Sequence, residues 1–153
     1  MNRTVDVELA RTIMESYSRF GKALGADGFF YLAVNRNKKS VVLDLYSESG
    51  RQSFHDLVKV ADIVFDNLRP GVLERLQGDY HTLKGLNPRI ISCSITGFGQ
   101  SGPYAGRAGY DFMIQGLGGL MSVTGERDDL PGGGPQKVGV AVADLFTGMY
   151  ATS

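Results

Sequence analysis

Strand-like and helix-like segments alternate between residues 41 and 96, and this alternation is the feature that most constrains the fold. The run Val41–Leu45 predicts a strand. Ser47 can cap a following helix, in which apolar side chains recur along one face at Phe54, Leu57, Val58 and Ala61. Residues 62–66 predict a second strand. A strand, a helix and a strand joined by short connections form a parallel βαβ unit.

The alternation continues beyond this unit. Pro70 suits the first turn of a helix over residues 71–77, with Val72, Leu73 and Leu76 as its buried stripe. A short helix over residues 79–86 and a third strand over residues 89–96 follow. The sequence therefore predicts an α/β fold with a parallel sheet and flanking helices.

The two ends of the chain show weaker patterns. Residues 5–24 have the spacing of an amphipathic helix. Residues 97–109 hold five glycines and a proline, and their aromatic side chains and low charge favour an ordered, functional loop over a flexible linker. We expect a buried helix over residues 111–124, a polar turn region over 126–135, and a helix, or a strand passing into one, over 138–152.

Composition excludes several classes of partner and site. Sixteen basic residues balance sixteen acidic ones, so no overall field favours nucleic acid or an anionic membrane, and a small-molecule partner is expected. The single cysteine, Cys93, lies in an apolar run and is interpreted as a buried structural thiol in a reducing compartment such as the cytoplasm. His55 and His81 have no Cys or carboxylate at metal-ligand spacing, so no metal site is expected.

No segment of the sequence indicates a membrane protein or a secreted one. The first ten residues carry acidic side chains without an apolar core of signal-peptide length. No stretch approaches the roughly 20 apolar residues that span a bilayer. We therefore expect a soluble protein.

Asn67–Gly71 follows the second predicted strand, where parallel sheets usually bind ligands. Asn67 supplies donors and an acceptor, and Arg69 and Arg75 supply cations for a phosphate group. A solvated turn explains the same residues, and spacing alone favours it. The basic cluster Asn35–Ser40 is likewise best interpreted as a solvated turn.

Asp144 is the one ionisable residue in the small and apolar run of residues 138–149. Such surroundings disfavour its charged form and would make it a more basic nucleophile. The alternative is a helix N-cap, which spacing alone favours. Asp111, which opens the helix after the glycine-rich loop, allows the same two interpretations.

Several blocks in order resemble one family. They are residues 32–40, 41–45, 66–71, 94–99, 109–111 and 138–151. Together they are similar to the class III CoA-transferases, the CaiB/BaiF or formyl-CoA transferase type, over residues 29–153. The resemblance implies that the chain is a segment of a Rossmann-like large domain, with residues 1–28 as an atypical N-terminal helical segment.

The resemblance also implies a reaction and a set of site residues. Asp144 is the nucleophile that moves CoA between carboxylic acids through an aspartyl-acyl anhydride and an aspartyl-CoA thioester, and Asp111 lies near the reacting acyl group. Asn67 and Leu68 contact CoA, and Leu43, Arg75 and Leu76 line its nucleotide end. CoA and acyl-CoA are substrates, and no permanently bound cofactor is implied. Tyr46 replaces the family's lysine, which removes one expected CoA contact.

Three alternatives remain. Acyl-CoA racemases of the same family place a histidine where this chain has Tyr110, and because tyrosine is a poor general base at neutral pH, CoA transfer is favoured. A non-catalytic CoA-binding fragment would keep Asn67 and Arg75 without turnover. Family members are much longer and form interlocked homodimers, so we expect 29–153 to be a partial domain, and a remnant that does not fold alone is the third alternative.

Overall fold

The computed structural model describes residues 4–5 and 29–153. They form two compact units, one ending at Ser94 and one beginning at Ile95. The elements of the first unit are β1 (Thr4–Val5), α1 (Phe29–Val34), α2 (Glu48–Val58), β2 (Ile63–Asp66), α3 (Val72–Arg75), α4 (Tyr80–Leu86) and β3 (Ile91–Ser94). The second unit contains α5 (Asp111–Leu117), a 3₁₀ turn (Leu120–Ser122), β4 (Gly125–Glu126), β5 (Gly134–Pro135) and α6 (Val142–Thr152).

The sheet of the first unit is parallel, in the order β1-β2-β3. Ile63 pairs with Ile91 and Asp66 pairs with Ser94, so β2 and β3 end side by side. The helices α3 and α4 lie in the connection between them, as a parallel pair requires. The predicted α/β fold with a parallel sheet is confirmed.

One apolar cluster holds the first unit together. Its buried members come from α2, β2, α4 and the segments beside them: Phe54, Val58, Ala61, Val64, Leu83 and Ile90. Asn87 ties the segments together, because its side-chain amide donates to the carbonyls of Val58 and Ala61 at 3.0 and 2.8 Å. The predicted apolar face of α2 is therefore the face that forms the core.

Two helix starts were predicted with different success. Ser47 caps α2 as expected, accepting from the N–H of Gly50 at 3.0 Å. Pro70 does not lie in the first turn of α3, because the N-cap is Gly71 with a φ of 83° and the helix begins at Val72. Glycine adopts the left-handed conformation of Gly71 without strain, and the helix therefore begins after this residue, at Val72.

The predicted strand Val41–Leu45 is wrong. The segment has no ladder partner among the described residues and forms no strand. Leu43 and Leu45 pack against the apolar cluster while Val42 is 95% exposed, so side chains do alternate between core and solvent. The alternation that predicted a strand reflects an extended segment lying on the core, and a strand additionally needs a neighbour for its N–H and C=O groups.

The second unit begins with a loop that closes on itself. Gly97 and Gly109 lie so close that a Cβ on either would overlap backbone atoms of the other. Inside the loop, Tyr104 packs edge-on against Phe98 with ring centroids 5.7 Å apart, and the Arg107 guanidinium lies 4.3 Å from the Tyr104 ring centroid. The expected ordered loop over residues 97–109 is thus packed by its own side chains.

The helix predicted over residues 111–124 is shorter and less buried than expected. It ends at Leu117, since Gly119 adopts a φ of 80° and a 3₁₀ turn follows. The polar region 126–135 forms a two-stranded antiparallel hairpin with Gly125 opposite Pro135. The C-terminal segment is helical from Val142 to Thr152, as one of the two expectations had it.

The remaining expectations concern single segments. Val5 lies in β1 rather than a helix, and residues 6–24 of the predicted amphipathic helix lie outside the described residues.

The cluster Asn35–Ser40 is an almost wholly exposed turn with Asn37 at a φ of 65°. Cys93 in β3 is half-buried rather than buried. Among the described residues, no helix is long and apolar enough to cross a bilayer.

Candidate active site

Asp144 lies in the first turn of α6, two residues after the helix begins at Val142. It is not the N-cap that spacing alone favoured, because Ala141 holds that position and forms no side-chain cap. The residue is exposed, so its carboxylate is accessible to a ligand. The spacing that favoured an N-cap at Asp144 therefore gave the wrong prediction here.

Asp111 supplies the cap that α6 lacks. It is the first residue of α5, whose own N-cap is Tyr110, so its predicted role as the cap of that helix is also wrong. Its Oδ1 accepts from the backbone N–H of Ala143 at 2.8 Å and of Asp144 at 3.3 Å. A carboxylate on one helix therefore satisfies two of the unpaired donors at the start of another.

This arrangement affects the charge on Asp144. Although the residue is exposed, partial desolvation of its carboxyl group by neighbouring atoms raises its pKa above the ordinary value of 3.8, and the nearby negative charge of Asp111 raises it further. A carboxylate with a raised pKa is more basic and therefore a better nucleophile.

Gln115 belongs to the same cluster and was missed in the sequence analysis. It lies one turn after Asp111 on α5 and is only 2% exposed. Its Nε2 donates to Asp111 Oδ2 at 2.5 Å, and its Oε1 accepts from the N–H of Val138 at 2.8 Å. The available signal was an amide at position i+4 from an aspartate within an otherwise apolar segment.

The residues assigned to CoA lie in the first unit, and two of them, Asn67 and Leu68, directly follow β2. Asp66, the last residue of this strand, is 9% exposed and accepts from Ser94 Oγ at 2.5 Å through Oδ2 and from the N–H of Leu68 at 2.9 Å through Oδ1. These bonds fix the turn that follows the strand. They place Asn67 in an exposed position at the carboxyl end of the sheet, where parallel sheets bind ligands.

The other three residues of this set differ in access. Arg75 is exposed at the end of α3, whereas Leu76 is 6% exposed and Leu43 packs against the apolar cluster. Leu76 therefore offers a ligand little accessible surface. Because α3 has only four residues, its dipole adds little to an anion site.

The structure brings Asp111 and Asp144 together in the second unit and places Asn67, Leu68, Leu43, Arg75 and Leu76 in the first. Within residues 4–5 and 29–153, no group of three or more His, Cys, Asp or Glu side chains is arranged to hold a metal ion. Carboxylate chemistry and anion binding are the functions that these side chains can supply.

Comparison with known proteins identifies the family of this chain. The family model for CoA-transferase family III matches residues 6–153, so the match starts well before the expected residue 29. A succinate–glutarate CoA-transferase from Agrobacterium fabrum is 51% identical over 124 residues, which are 81% of this chain and 30% of the relative. The human succinyl-CoA:glutarate CoA-transferase is 41% identical over 84% of this chain and 28% of its own length.

A solved structure gives the same result. A CaiB/BaiF family protein from Brucella suis superposes with a TM-score of 0.78 at 46% identity, covering 89% of this chain and 36% of that protein. The chain thus spans about a third of the length of the proteins it matches. With the family model matching nearly its whole length, the chain belongs to CoA-transferase family III.

Proposed function

We propose that this chain carries the nucleophile of an acyl-CoA:carboxylate CoA-transferase, and that Asp144 is that nucleophile. The observation that carries the proposal is the contact between the Asp111 carboxylate and the start of α6, which holds an exposed Asp144 with a raised pKa in the first helical turn. Membership of the family supports the same assignment.

The reaction follows from carboxylate chemistry. An Asp144 oxygen attacks the thioester carbonyl carbon of the donor, the C–S bond breaks, and CoA leaves as a thiolate, giving an aspartyl-acyl anhydride. The thiolate then attacks the aspartyl carbonyl, which releases the donor acid and forms an aspartyl-CoA thioester. The acceptor carboxylate attacks this thioester, which releases the CoA thiolate and forms a second anhydride. The thiolate then attacks the acceptor's acyl carbonyl in this anhydride, which forms the product thioester and releases the Asp144 carboxylate. No step consumes water, so water must be kept from the anhydrides.

Asp111 has two roles in this proposal. Its Oδ1 caps α6 and so fixes the backbone that carries Asp144. Its negative charge also raises the Asp144 pKa, which keeps the nucleophile basic. We place Asp111 beside the reacting acyl group without assigning it a proton transfer.

The substrates and partners of the proposed enzyme follow from the relatives and from the first unit. The relatives from Agrobacterium fabrum and human are named for succinate and glutarate, so we propose a dicarboxylic acyl group for this chain. We assign CoA contacts to Asn67, Leu68, Leu43, Arg75 and Leu76. We also propose that the protein forms a homodimer and that it works in a reducing compartment. The exposed cation of Arg75 suits a phosphate of CoA.

Trapping of the anhydride tests the proposal. The chain is incubated with succinyl-CoA and then with hydroxylamine, which converts an acylated or thioesterified aspartate to a hydroxamate. Peptide mass spectrometry should place the hydroxamate on Asp144. Asp144→Ala should lose it, and Asp128→Ala, which removes an exposed carboxylate of the β4–β5 hairpin, should keep it.

Three results would contradict the proposal. Equal trapping in Asp144→Ala would show that the nucleophile is elsewhere. Calorimetric CoA binding without any trapped adduct would favour the non-catalytic binding fragment. Exchange of the α-hydrogen of a branched acyl-CoA in deuterated water, with no CoA transfer, would favour the racemase alternative.

A further inference from the structure

Gln115 is the one buried residue that α5 contributes, and it is polar. It is 2% exposed and ranks with Leu83 and Val58 among the largest fully enclosed side chains of the described residues. A buried amide without partners is destabilising, so its hydrogen bonds decide whether the position is tolerated. They also show what the side chain does.

The amide of Gln115 uses both of its ends. Nε2 donates to Asp111 Oδ2 at 2.5 Å and to the carbonyl of Val140 at 3.3 Å. Oε1 accepts from the N–H of Val138 at 2.8 Å. One side chain thus links α5 to the segment that leads into α6.

The Asp111 carboxylate is held from two sides as a result. Oδ2 is occupied by Gln115, and Oδ1 accepts from the N–H groups of Ala143 and Asp144. Rotation about the terminal bond of an aspartate is soft and has no strongly preferred angle. The Gln115 amide and the two N–H groups of α6 therefore together determine which way the two oxygens face.

We propose that Gln115 is a positioning residue that holds the Asp111 carboxylate in register with the start of α6 and thereby sets the orientation of Asp144. Its importance for catalysis rests on the proposed function of Asp144. Gln115 touches no reacting atom in this scheme. Its effect passes through Asp111 and the backbone of residues 138–144.

An amide-to-carboxylate change at Gln115 is the sharpest test. Gln115→Glu keeps the shape and the acceptor for Val138, but it replaces the Nε2 donor with an oxygen facing Asp111 Oδ2. Two carboxylates at hydrogen-bond distance cannot both stay ionised without repulsion, so at neutral pH the Asp111 carboxylate should turn away. At acid pH a shared proton should restore the contact. Gln115→Met, which has similar length and no donor, should disrupt it at every pH.

The backbone N–H groups of Ala143 and Asp144 report the contact without any substrate. In the unmodified chain at pH 7, we expect both N–H resonances to lie downfield, because a carboxylate acceptor deshields a bonded N–H. In Gln115→Met this downfield shift should be lost and their hydrogen exchange should accelerate about tenfold. In Gln115→Glu the downfield shift should be lost at pH 7 and recovered at acid pH. Gln100→Met alters an exposed loop glutamine and should change neither N–H group.

A kinetic measurement separates positioning from binding. Acylation of Asp144 by succinyl-CoA should slow about 10- to 100-fold in Gln115→Met with KM nearly unchanged, since small misplacements of a reacting group have effects of this size. Unchanged Ala143 and Asp144 N–H groups in a cooperatively folded Gln115→Met would overturn the inference. If that variant does not fold, the pH dependence of Gln115→Glu decides in the same way. Intact N–H behaviour with no acylation in the unmodified chain would instead contradict the proposed function alone.

Discussion

Different forces stabilise the interior of each of the two units of this chain. Every buried apolar side chain among the described residues lies in the first unit, between Phe54 and Ile90. The second unit encloses only Gln115 to the same degree, while its helix α6 exposes Leu145, Phe146 and Met149 by more than half. The first unit therefore depends on hydrophobic burial, and the second on glycine contacts and a polar network around the candidate nucleophile. The buried apolar cluster and the candidate nucleophile therefore lie in different units.

A core truncation should have the largest effect and should affect the first unit alone. Leu83 is 0% exposed, so Leu83→Ala removes buried methyl groups and leaves a cavity. We expect a loss of about 2–5 kcal/mol in the free energy of unfolding, measured by urea denaturation. Leu117→Ala, which shortens a 63% exposed leucine of α5, is the matched control and should change the free energy by less than about 0.5 kcal/mol. Equal effects would remove the contrast between the units.

A methyl group on the closed loop should produce the largest effect in the second unit. In Gly97→Ala the new Cβ would overlap the backbone of Gly109, which cannot turn aside as a side chain could. Overpacking of this kind costs about 1–3 kcal/mol. Thermal unfolding should show the loss, and Gly106→Ala, whose Cβ would meet no atom within 4 Å, should not. A Gly97→Ala variant as stable as the control would show that the loop opens at no cost.

The contrast between the units also explains which features the sequence could predict. Helix α2, its Ser47 cap and the strands β2 and β3 depend on local spacing and on burial in one core, so the pattern of residues 47–94 is informative. The strand at Val41–Leu45 fails because a strand needs a partner that spacing does not reveal. The family resemblance, and not local spacing, predicted Asp111 and Asp144 as site residues. The cap that Asp111 provides for α6 joins it to Ala143 and Asp144, which are 32 and 33 positions away, and local capping rules consider only neighbours in sequence.

Loss of a helix cap in the first unit should have a smaller effect with a defined pH dependence. Asp79 caps α4, and its hydrogen bond from the Thr82 hydroxyl holds its pKa below 3.8. Asp79→Ala should cost about 1 kcal/mol at neutral pH. Because the folded-state pKa is lowered, the contribution is present above about 3.8 and is lost as pH falls through the folded value. Urea titrations at pH 7 and at acid pH should show the difference shrink, and Asp128→Ala should show none.

The smallest effect should be a pH dependence of opposite sign at Asp144. Burial and the Asp111 charge raise its pKa above 3.8, so the folded state binds this proton more tightly than the unfolded chain does. Its contribution to stability is present below 3.8 and is lost as pH rises through the folded pKa. Titration of the Asp144 carboxyl carbon by NMR measures this pKa directly.

Asp111→Asn separates the two causes of the Asp144 shift. It removes the neighbouring charge and leaves burial in place, so the Asp144 pKa should fall part of the way toward 3.8. Asp128→Asn should leave it unchanged. The first turn of α6 opposes both causes, because a helix N-terminus stabilises a carboxylate by about 0.3–1 kcal/mol. An Asp144 pKa at or below 3.8 would show that the helix end outweighs burial and Asp111, and the second unit would then hold a stabilised carboxylate where the proposed mechanism needs a basic one.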